Sequence, residues 1–152
     1  MPDLNKLAFT LTSPKSNDDF KRYYQFRWEQ LRRPLDLPFG SEQDPLDEKS
    51  FHCMVIINQD ELVGIGSIQP AEINSMRIRY MAVSKEFQRL GIGSAIIKNL
   101  LEYANENHAI KCWLNARSNV LEFYKQQGFK VVGEVEAEIS IPHFKMETLL
   151  KA

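Results

Sequence analysis

The sequence has few cysteines, almost no excess charge and no long apolar run, and each shortage excludes a class of protein. Its two cysteines, Cys53 and Cys112, lie inside apolar strand-like stretches, where a buried free thiol is ordinary. A disulfide or a catalytic cysteine is therefore not expected. Nineteen basic and twenty acidic residues leave a formal net charge of −1, which creates no overall field for nucleic acid or a membrane. We expect neither of them as a partner.

Membrane and export signals are also missing. No apolar run approaches the length of a membrane span, and the segment from Met1 to Lys6 lacks the apolar core of a secretory signal. No internal repeat or low-complexity stretch is present. We therefore expect a cytoplasmic protein with one domain, 1–152, which is long enough to bury a sizeable core.

Local patterns predict the order of strands and helices. Predicted strands cover 7–12, 51–58, 62–68, 76–83, 111–115, 131–134 and 139–149. A long helix should follow the strand at 76–83, so the strand at 111–115 is expected to lie beside that strand and parallel to it. A short helix is predicted at 119–127, with Gly128 as its terminator.

The first predicted helix runs from a Ser16 cap to Leu31, before Pro34. Its apolar stripe is expected to face the core, and Arg27 is assigned to a solvated charged face; the stripe consists of Phe20, Tyr24, Trp28 and Leu31. The segment 34–47 that follows holds three prolines and a glycine. We predict a long loop that borders an acceptor-substrate site, although a plain connector fits the same pattern.

The most informative stretch runs from Ile78 to Ser94 and predicts a strand, a glycine loop and a helix. After the loop, apolar residues recur at helical spacing, at Ile92, Ile96, Leu100 and Ala104. Gly91 and Gly93 thus stand where the chain leaves a sheet and begins a helix. There, unpaired N–H groups and the helix dipole can hold an anion.

Two interpretations of this loop remain open from the residues alone. In one, glycine lets the backbone approach a diphosphate, with Arg89 as a fixed charge and Gln88 as a neutral donor. In the other, the glycines only make a turn tight enough for the helix to pack on the sheet. Two known phosphate loops are excluded, because Ile96 replaces the third glycine of a dinucleotide fingerprint and Gly93-Ser94 replaces the Gly-Lys of a P-loop.

The segment Gln88 to Gly93, Gln-Arg-Leu-Gly-Ile-Gly, resembles the Gln/Arg-x-x-Gly-x-Gly signature of the GCN5-related N-acetyltransferases (GNATs). A second segment is similar to the family pattern Ala-x-x-x-Ala-x-x-Phe-Tyr-x-x-x-Gly-Phe, with matches at Ala116, Phe123, Tyr124, Gly128 and Phe129. Arg117 and Val120 depart from it, in place of a frequent Asn or Gln and a frequent Ala. The departure at Arg117 puts a side-chain contact to the pantetheine arm in doubt.

The resemblance covers about residues 5–150 and implies an α/β (α+β) fold. Its sheet is expected to be mixed, mostly antiparallel and six- to seven-stranded, with splayed central parallel strands and helices on both faces. Ile141–Met146 and residues 23–32 and 40–42 look like a narrower bacterial subset, in which the acetyltransferase domain is sometimes joined to a thioesterase domain.

The resemblance also implies that acetyl-coenzyme A donates an acetyl group to a primary amine of a small molecule or peptide. No metal is implied, and a homodimer is compatible with the pattern. By position, Tyr124 would be the general acid that protonates the leaving thiolate. The implied cofactor contacts are Met81, Ala82, Val83, Gln88, Arg89, Leu90, Gly91, Ile92, Gly93, Ser94 and Asn115. A non-catalytic acyl-coenzyme A binding or sensing module is the alternative.

The sequence does not single out a general base. The candidates are Glu72, His52, Glu134 and His143, each only because it can approach the predicted cleft. Arg77 and Arg79 flank the cleft strand and can attract an acidic acceptor, but alternating charges on an exposed strand face need no function.

Overall fold

The computed structural model describes residues 8–58, 60–135 and 142–150. The strands are β1 (Thr10–Thr12), β2 (Phe51–Ile57), β3 (Glu61–Pro70), β4 (Ser75–Val83), β5 (Lys111–Arg117), β6 (Lys130–Val135) and β7 (His143–Leu149). The α-helices are α1 (Asn17–Leu31), α2 (Ile92–Glu106) and α3 (Leu121–Gln126). The predicted strand residues 7 and 139–141 lie outside the described ranges.

One seven-stranded sheet has the strand order β1-β2-β3-β4-β5-β7-β6. All neighbouring pairs are antiparallel except β4 and β5, which are parallel. The predicted mixed sheet and its central parallel pair are therefore confirmed. β5 is two residues longer than predicted, because Ala116 and Arg117 continue its ladder with β7.

Helices cover both faces of the sheet. The apolar face of α2 joins the main core with side chains from β2, β4 and β5, and its buried members are Ile92, Ile96, Ile97, Leu100 and Ala104. On the other face, Tyr23 and Phe26 of α1 pack with Met54 and Ile65. The predicted cap is present, because Ser16 Oγ accepts from the Asp19 N–H at 3.0 Å and the Asp19 carboxylate accepts from the Ser16 N–H.

The predicted orientation of α1 is wrong in one respect. Tyr23, Phe26 and Arg27 are its buried residues, whereas Trp28 is only half-buried. Arg27, which we assigned to a solvated face, is 0% exposed. Charge pattern alone fails here because the partner of this arginine, Asp47, lies 20 positions away in the loop after α1.

The parallel pairing of β4 and β5 is short. It runs only from Ser75↔Lys111 to Arg77↔Trp113, after which β4 continues beside β3 as far as Val83 and β5 continues beside β7 as far as Arg117. No described strand pairs with the free edge of Ile78–Val83. The sheet therefore splits in its centre, as the resemblance implied, and the split opens toward the N-terminus of α2.

A β-bulge lies in the part of β4 that no longer pairs with β5. The β3–β4 register shifts between Ile65↔Ala82 and Ser67↔Arg79, so that one residue of β3 opposes Tyr80 and Met81 together. Tyr80 has a φ of 57°, a left-handed conformation that is strained for a bulky side chain. The bulge reverses the alternation of side chains: Ile78 faces the α2 core before it and Met81 after it, while Ala82 packs beside α1.

Gly66, on β3 opposite the bulge, tests how tightly this region is packed. A Cβ at this position would lie 2.6 Å from Ile96 Cγ2 and 2.7 Å from Met81 Sδ, so we expect Gly66→Ala to lower the free energy of unfolding by about 1–3 kcal/mol. Gly133→Ala is the matched control, because the added Cβ would meet no atom within 4 Å. Equal denaturation midpoints for the two variants would contradict the close packing of β4, β3 and α2.

Candidate cofactor and acceptor site

The open end of the split adjoins the glycine loop. After Val83, the Ser84 N–H donates to Val63 O at 2.8 Å, and a 3₁₀ turn at Lys85–Phe87 leads to the loop. The Gln88 side chain donates from Nε2 to Val83 O at 3.0 Å. Gln88 therefore ties the loop to the end of the strand, and this side-chain donor is engaged within the protein.

The two glycines meet different requirements. Gly91 occupies the N-cap position of α2 with a φ of 88°, and a Cβ there would meet nothing within 4 Å. Gly93 has an ordinary φ, but a Cβ would lie 3.0 Å from the Phe123 ring. Gly91 thus serves the backbone path and leaves space around the helix terminus, while Gly93 lets α2 approach α3.

The N-terminus of α2 has features that suit an anion. Within the described residues, no side chain caps its first N–H groups, which leaves the positive end of the helix dipole open. Arg89 is exposed and has a φ of 66°, and among the described residues its guanidinium has no hydrogen-bond or ion-pair partner. The donors and the charge fit the diphosphate of coenzyme A.

The other predicted loop contacts differ in accessibility. Ile92 is 1% exposed and packed in the core, so only its backbone can reach a ligand, whereas Leu90 is half-buried. Ser94 Oγ accepts from Gln127 Nε2 at 2.9 Å, which links the first turn of α2 to the end of α3. Beyond the three paired residues of β4, the backbone of Met81, Ala82 and Val83 faces the split.

Tyr124 and Asn115 lie on the β5 side of the split. Tyr124 is buried, with its ring against Phe123 and Phe129, and burial raises the pKa of its phenol to about 12. Its hydroxyl has no hydrogen-bond partner among the described residues. Asn115 is half-buried, and its buried Oδ1 likewise accepts no described hydrogen bond. Both groups have polar atoms that are available for a ligand.

His52 and Glu72 are engaged elsewhere. His52 is buried between Asp47 O and the Tyr23 hydroxyl, both at 2.8 Å from its ring nitrogens. Because a carbonyl can only accept, Nε2 carries the proton and Nδ1 accepts from Tyr23; burial lowers the pKa of this histidine. Glu72 is exposed and accepts from Trp113 Nε1 at 3.1 Å, at the end where β4 and β5 still pair. A hydrogen bond from its own backbone N–H lowers the pKa of Glu72.

The remaining charged candidates lie on β4, β6 and β7. Glu134 is exposed on β6, and His143 begins β7 opposite Arg117. Arg77 lies over the Trp113 ring at 4.7 Å. Arg79 is already paired, because its Nη1 donates to Asp44 Oδ2 at 2.6 Å. The structure therefore brings neither His52 nor Glu72 to the split. The charge of Arg79 is balanced by the ion pair with Asp44.

The segment 34–47 is fastened to α1 through its backbone. Trp28 Nε1 donates to Leu37 O at 3.0 Å, Arg32 Nε to Ser41 O at 3.3 Å, and Arg27 Nη1 to Glu42 O at 3.2 Å. Its last part also reaches β4, since Asp44 contacts both Arg79 and Tyr80. The segment thus borders the bulged strand next to the split.

Sequence reasoning missed the buried group formed by Arg27, Asp47, Tyr23 and His52. Arg27 Nη1 lies 3.0 Å from both carboxylate oxygens of Asp47, and its Nη2 donates to the Tyr23 hydroxyl at 3.0 Å. The only sequence signal was the placement of charged residues beside aromatic ones in α1, and this pattern is common on solvated helices.

Cysteine and metal chemistry have no visible site in the described ranges. Both cysteines are free and buried, and burial raises the pKa of Cys53 to about 11 and that of Cys112 to about 12. Residues 8–58, 60–135 and 142–150 contain no group of three or more His, Cys, Asp or Glu side chains placed to hold a metal. No helix in these ranges is long and apolar enough to cross a membrane.

Comparison with known proteins gives the fold and the family. An acyl-CoA N-acyltransferase from Pseudomonas aeruginosa superposes with a TM-score of 0.79 at 21% identity, over 94% of this chain and 99% of that one. An aminoglycoside 6'-N-acetyltransferase complexed with coenzyme A superposes with a TM-score of 0.78 at 14% identity, over 96% and 98% of the two chains. At these identities the likeness shows the fold alone.

Sequence similarity extends over most of the chain. The uncharacterized N-acetyltransferase YjcF of Bacillus subtilis (strain 168) is 28% identical over 133 residues, which are 87% of this chain and 94% of the relative. The family profile described as "Acetyltransferase (GNAT) domain" matches residues 40–150, from the α1–β2 loop to the end of β7. This match spans the split, the glycine loop and Tyr124, so the chain belongs to the GNAT family of acetyltransferases and is an acyltransferase enzyme.

Proposed function

We propose that this chain transfers the acetyl group of acetyl-coenzyme A to a primary amine of a small molecule or peptide. One observation carries the proposal: the central split of the sheet leads directly to the N-terminus of α2, where no described side chain caps the first N–H groups and Arg89 has no partner among the described residues. A ligand with a long amide-bearing arm and a diphosphate fits this combination, since the arm needs backbone partners and the diphosphate needs N–H donors and positive charge.

In this proposal, the backbone of Met81–Val83 holds the pantetheine arm as if it were an added strand, and the loop residues Gln88 to Ser94 hold the diphosphate. The unpartnered Oδ1 of Asn115 accepts a hydrogen bond from an amide of the arm. Ile92 contributes only its backbone, because its side chain is buried in the core. An N–H of the splayed strand, such as that of Met81, stabilises the oxyanion that forms during transfer.

The reaction forms a C–N bond and breaks the C–S bond of the thioester, so the thiolate leaves with an electron pair. Burial keeps the phenol of Tyr124 protonated, which suits it to donate to the departing sulfur. With a phenol pKa of about 12, complete transfer to a thiolate of pKa ~8.5 is uphill by roughly 5 kcal/mol. We infer that Tyr124 first stabilises the sulfur by hydrogen bonding, and that it passes its proton to the thiolate only as the proton released by the amine reaches the phenol oxygen.

Water is the proposed first acceptor of the amine proton. Both ring nitrogens of His52 are engaged, and Glu72 lies at the paired end of the two central strands. From the sequence alone a non-catalytic acyl-coenzyme A binding or sensing module was the alternative, and membership of the GNAT family favours the enzyme. Free thiol that is released from acetyl-coenzyme A only when an amine is added supports the enzyme, whereas saturable binding without release under any amine supports the module.

Finer assignments also remain proposals. We place the chain with the bacterial subset whose acetyltransferase domain is sometimes joined to a thioesterase domain, on the sequence resemblance of residues 23–32, 40–42 and 141–146. A cytoplasmic location and a homodimer are further expectations. Light scattering at several protein concentrations tests the dimer, and a constant monomer mass contradicts it.

Tyr124→Phe tests the proposed role of Tyr124 as the general acid. The variant keeps the packing of the ring and loses the hydroxyl, so we expect unchanged affinity for acetyl-coenzyme A and turnover lowered about tenfold or more. Tyr103→Phe is the control, because it removes a phenol hydroxyl from a ring that stacks on Phe51 away from the split. Turnover of Tyr124→Phe equal to that of the control would exclude the assignment.

Arg89→Glu tests the diphosphate site. A carboxylate at the uncapped terminus of α2 should repel the diphosphate and raise the dissociation constant of acetyl-coenzyme A about tenfold or more, as measured by calorimetry. Lys98→Glu makes the same charge change on an exposed turn farther along α2 and should have little effect. Equal affinities in the two variants would mean that the loop does not bind the diphosphate.

A further inference from the structure

We propose that Asp44 is a positioning residue: it holds Tyr80 in the left-handed conformation that forms the β4 bulge, and it thereby sets the direction of the Met81–Val83 backbone toward the split. This inference rests on the proposed function for its catalytic consequence. Its conformational part stands on the contacts around Tyr80 and is tested without catalysis.

The conformation of Tyr80 needs an explanation. In bulges that contain a left-handed residue, that residue is commonly glycine, which adopts positive φ without steric cost. A bulky residue in this conformation is strained, and such a residue persists only when its surroundings hold it. Tyr80 has a φ of 57° in the part of β4 whose edge toward β5 is unpaired, so pairing with β5 does not fix it.

Side chains from three parts of the chain surround Tyr80. Its hydroxyl donates to Asp44 Oδ2 at 2.8 Å, and Arg79 donates to the same oxygen at 2.6 Å. The guanidinium carbon of the buried Arg27 lies 3.9 Å from the centre of the Tyr80 ring, and that of Arg79 lies 4.7 Å from it. We call Arg27, Asp44 and Arg79 the bulge clamp.

Asp44 is itself fixed and ionised. Its Oδ1 accepts from the Leu46 N–H at 2.7 Å, and its own N–H donates to Asp47 Oδ2 at 2.8 Å. Burial alone would raise the pKa of Asp44, but the hydrogen bonds from Leu46 and Tyr80 and the positive charge of Arg79 outweigh it, so the pKa is lowered. Burial and the Asp44 carboxylate raise the pKa of Tyr80, which therefore keeps its proton and acts as the donor.

The clamp acts on the reaction through the backbone. The conformation of residue 80 determines which face of the sheet each following side chain of β4 occupies. Met81 therefore faces the α2 core and Ala82 faces α1. If Tyr80 relaxes to an extended φ, the residues after it rotate, and the N–H groups that the proposed function assigns to the oxyanion and the arm change direction. Misplacement by about 1 Å can lower a rate by about a hundredfold.

Asp44→Asn tests the clamp, because it keeps the shape of the side chain and removes the charge. We expect kcat to fall about tenfold or more and KM for acetyl-coenzyme A to rise, because the N–H groups for the oxyanion and for the arm are both displaced. Asp60→Asn is the matched control, since it breaks the exposed Arg22–Asp60 pair, which does not touch β4. If the clamp serves only stability, both kcat and KM stay unchanged while the melting temperature falls; that result overturns the proposal.

Rescue separates backbone positioning from any direct role of the clamp. Glycine takes positive φ at no steric cost, so Asp44→Asn combined with Tyr80→Gly should recover much of the turnover that Asp44→Asn loses. If Asp44→Asn does not fold, Tyr80→Phe replaces it as the single variant in the kinetic test, since Tyr80→Phe removes only the hydrogen bond from the hydroxyl to Asp44. The turnover of Tyr80→Phe is then compared with that of Tyr80→Gly. A double variant no more active than Asp44→Asn alone overturns the positioning role.

A structural readout keeps the test independent of the proposed function. In labelled protein, the backbone ¹³C chemical shifts of residue 80 report its φ, and we expect them to move from left-handed to extended values in Asp44→Asn but not in Asp60→Asn. Unchanged shifts overturn the clamp even if the enzyme is active. A wild-type protein that releases no thiol with any amine contradicts the proposed function and leaves this measurement interpretable.

Discussion

The early end of the β4–β5 pairing is the constraint on which the rest of the structure depends. Every backbone N–H and C=O that leaves water needs a partner, and after Arg77 and Trp113 the two strands no longer supply one another. Each strand therefore depends on its outer neighbour, β4 on β3 and β5 on β7. The interior of a continuous sheet is thereby converted into two edges that face each other across a gap that a ligand can fill.

The two edges are stabilised by different means. β5 continues in regular register with β7 to Arg117, and its alternate side chains Cys112, Leu114 and Ala116 enter the main core. β4 is interrupted by the bulge, and its strained residue is surrounded by charged groups from α1 and from the loop after it. Apolar packing fixes the β5 edge, whereas specific polar contacts fix the β4 edge.

Sequence patterns predicted what depends on local chemistry. The strand, glycine loop and helix around Gly91 follow from apolar periodicity and the freedom of glycine, and the parallel strand follows from the handedness of the crossover. The bulge at Tyr80 was not predicted, because an aromatic residue at a left-handed position has no sequence signal. The burial of Arg27 was mispredicted, since its partner Asp47 is brought to it only by the folded loop.

The difference between local patterns and long-range contacts also explains why the sequence indicates the acyl donor more readily than the acceptor. The proposed donor site uses backbone groups of β4 and of the α2 terminus, and the conditions for exposing them, such as glycine at residue 91, recur as a short motif. The rest of the split is bordered by side chains from the 34–47 loop, β5 and β7, which meet only through long-range contacts. No short motif brings these side chains together, so the sequence does not indicate which acceptor they bind.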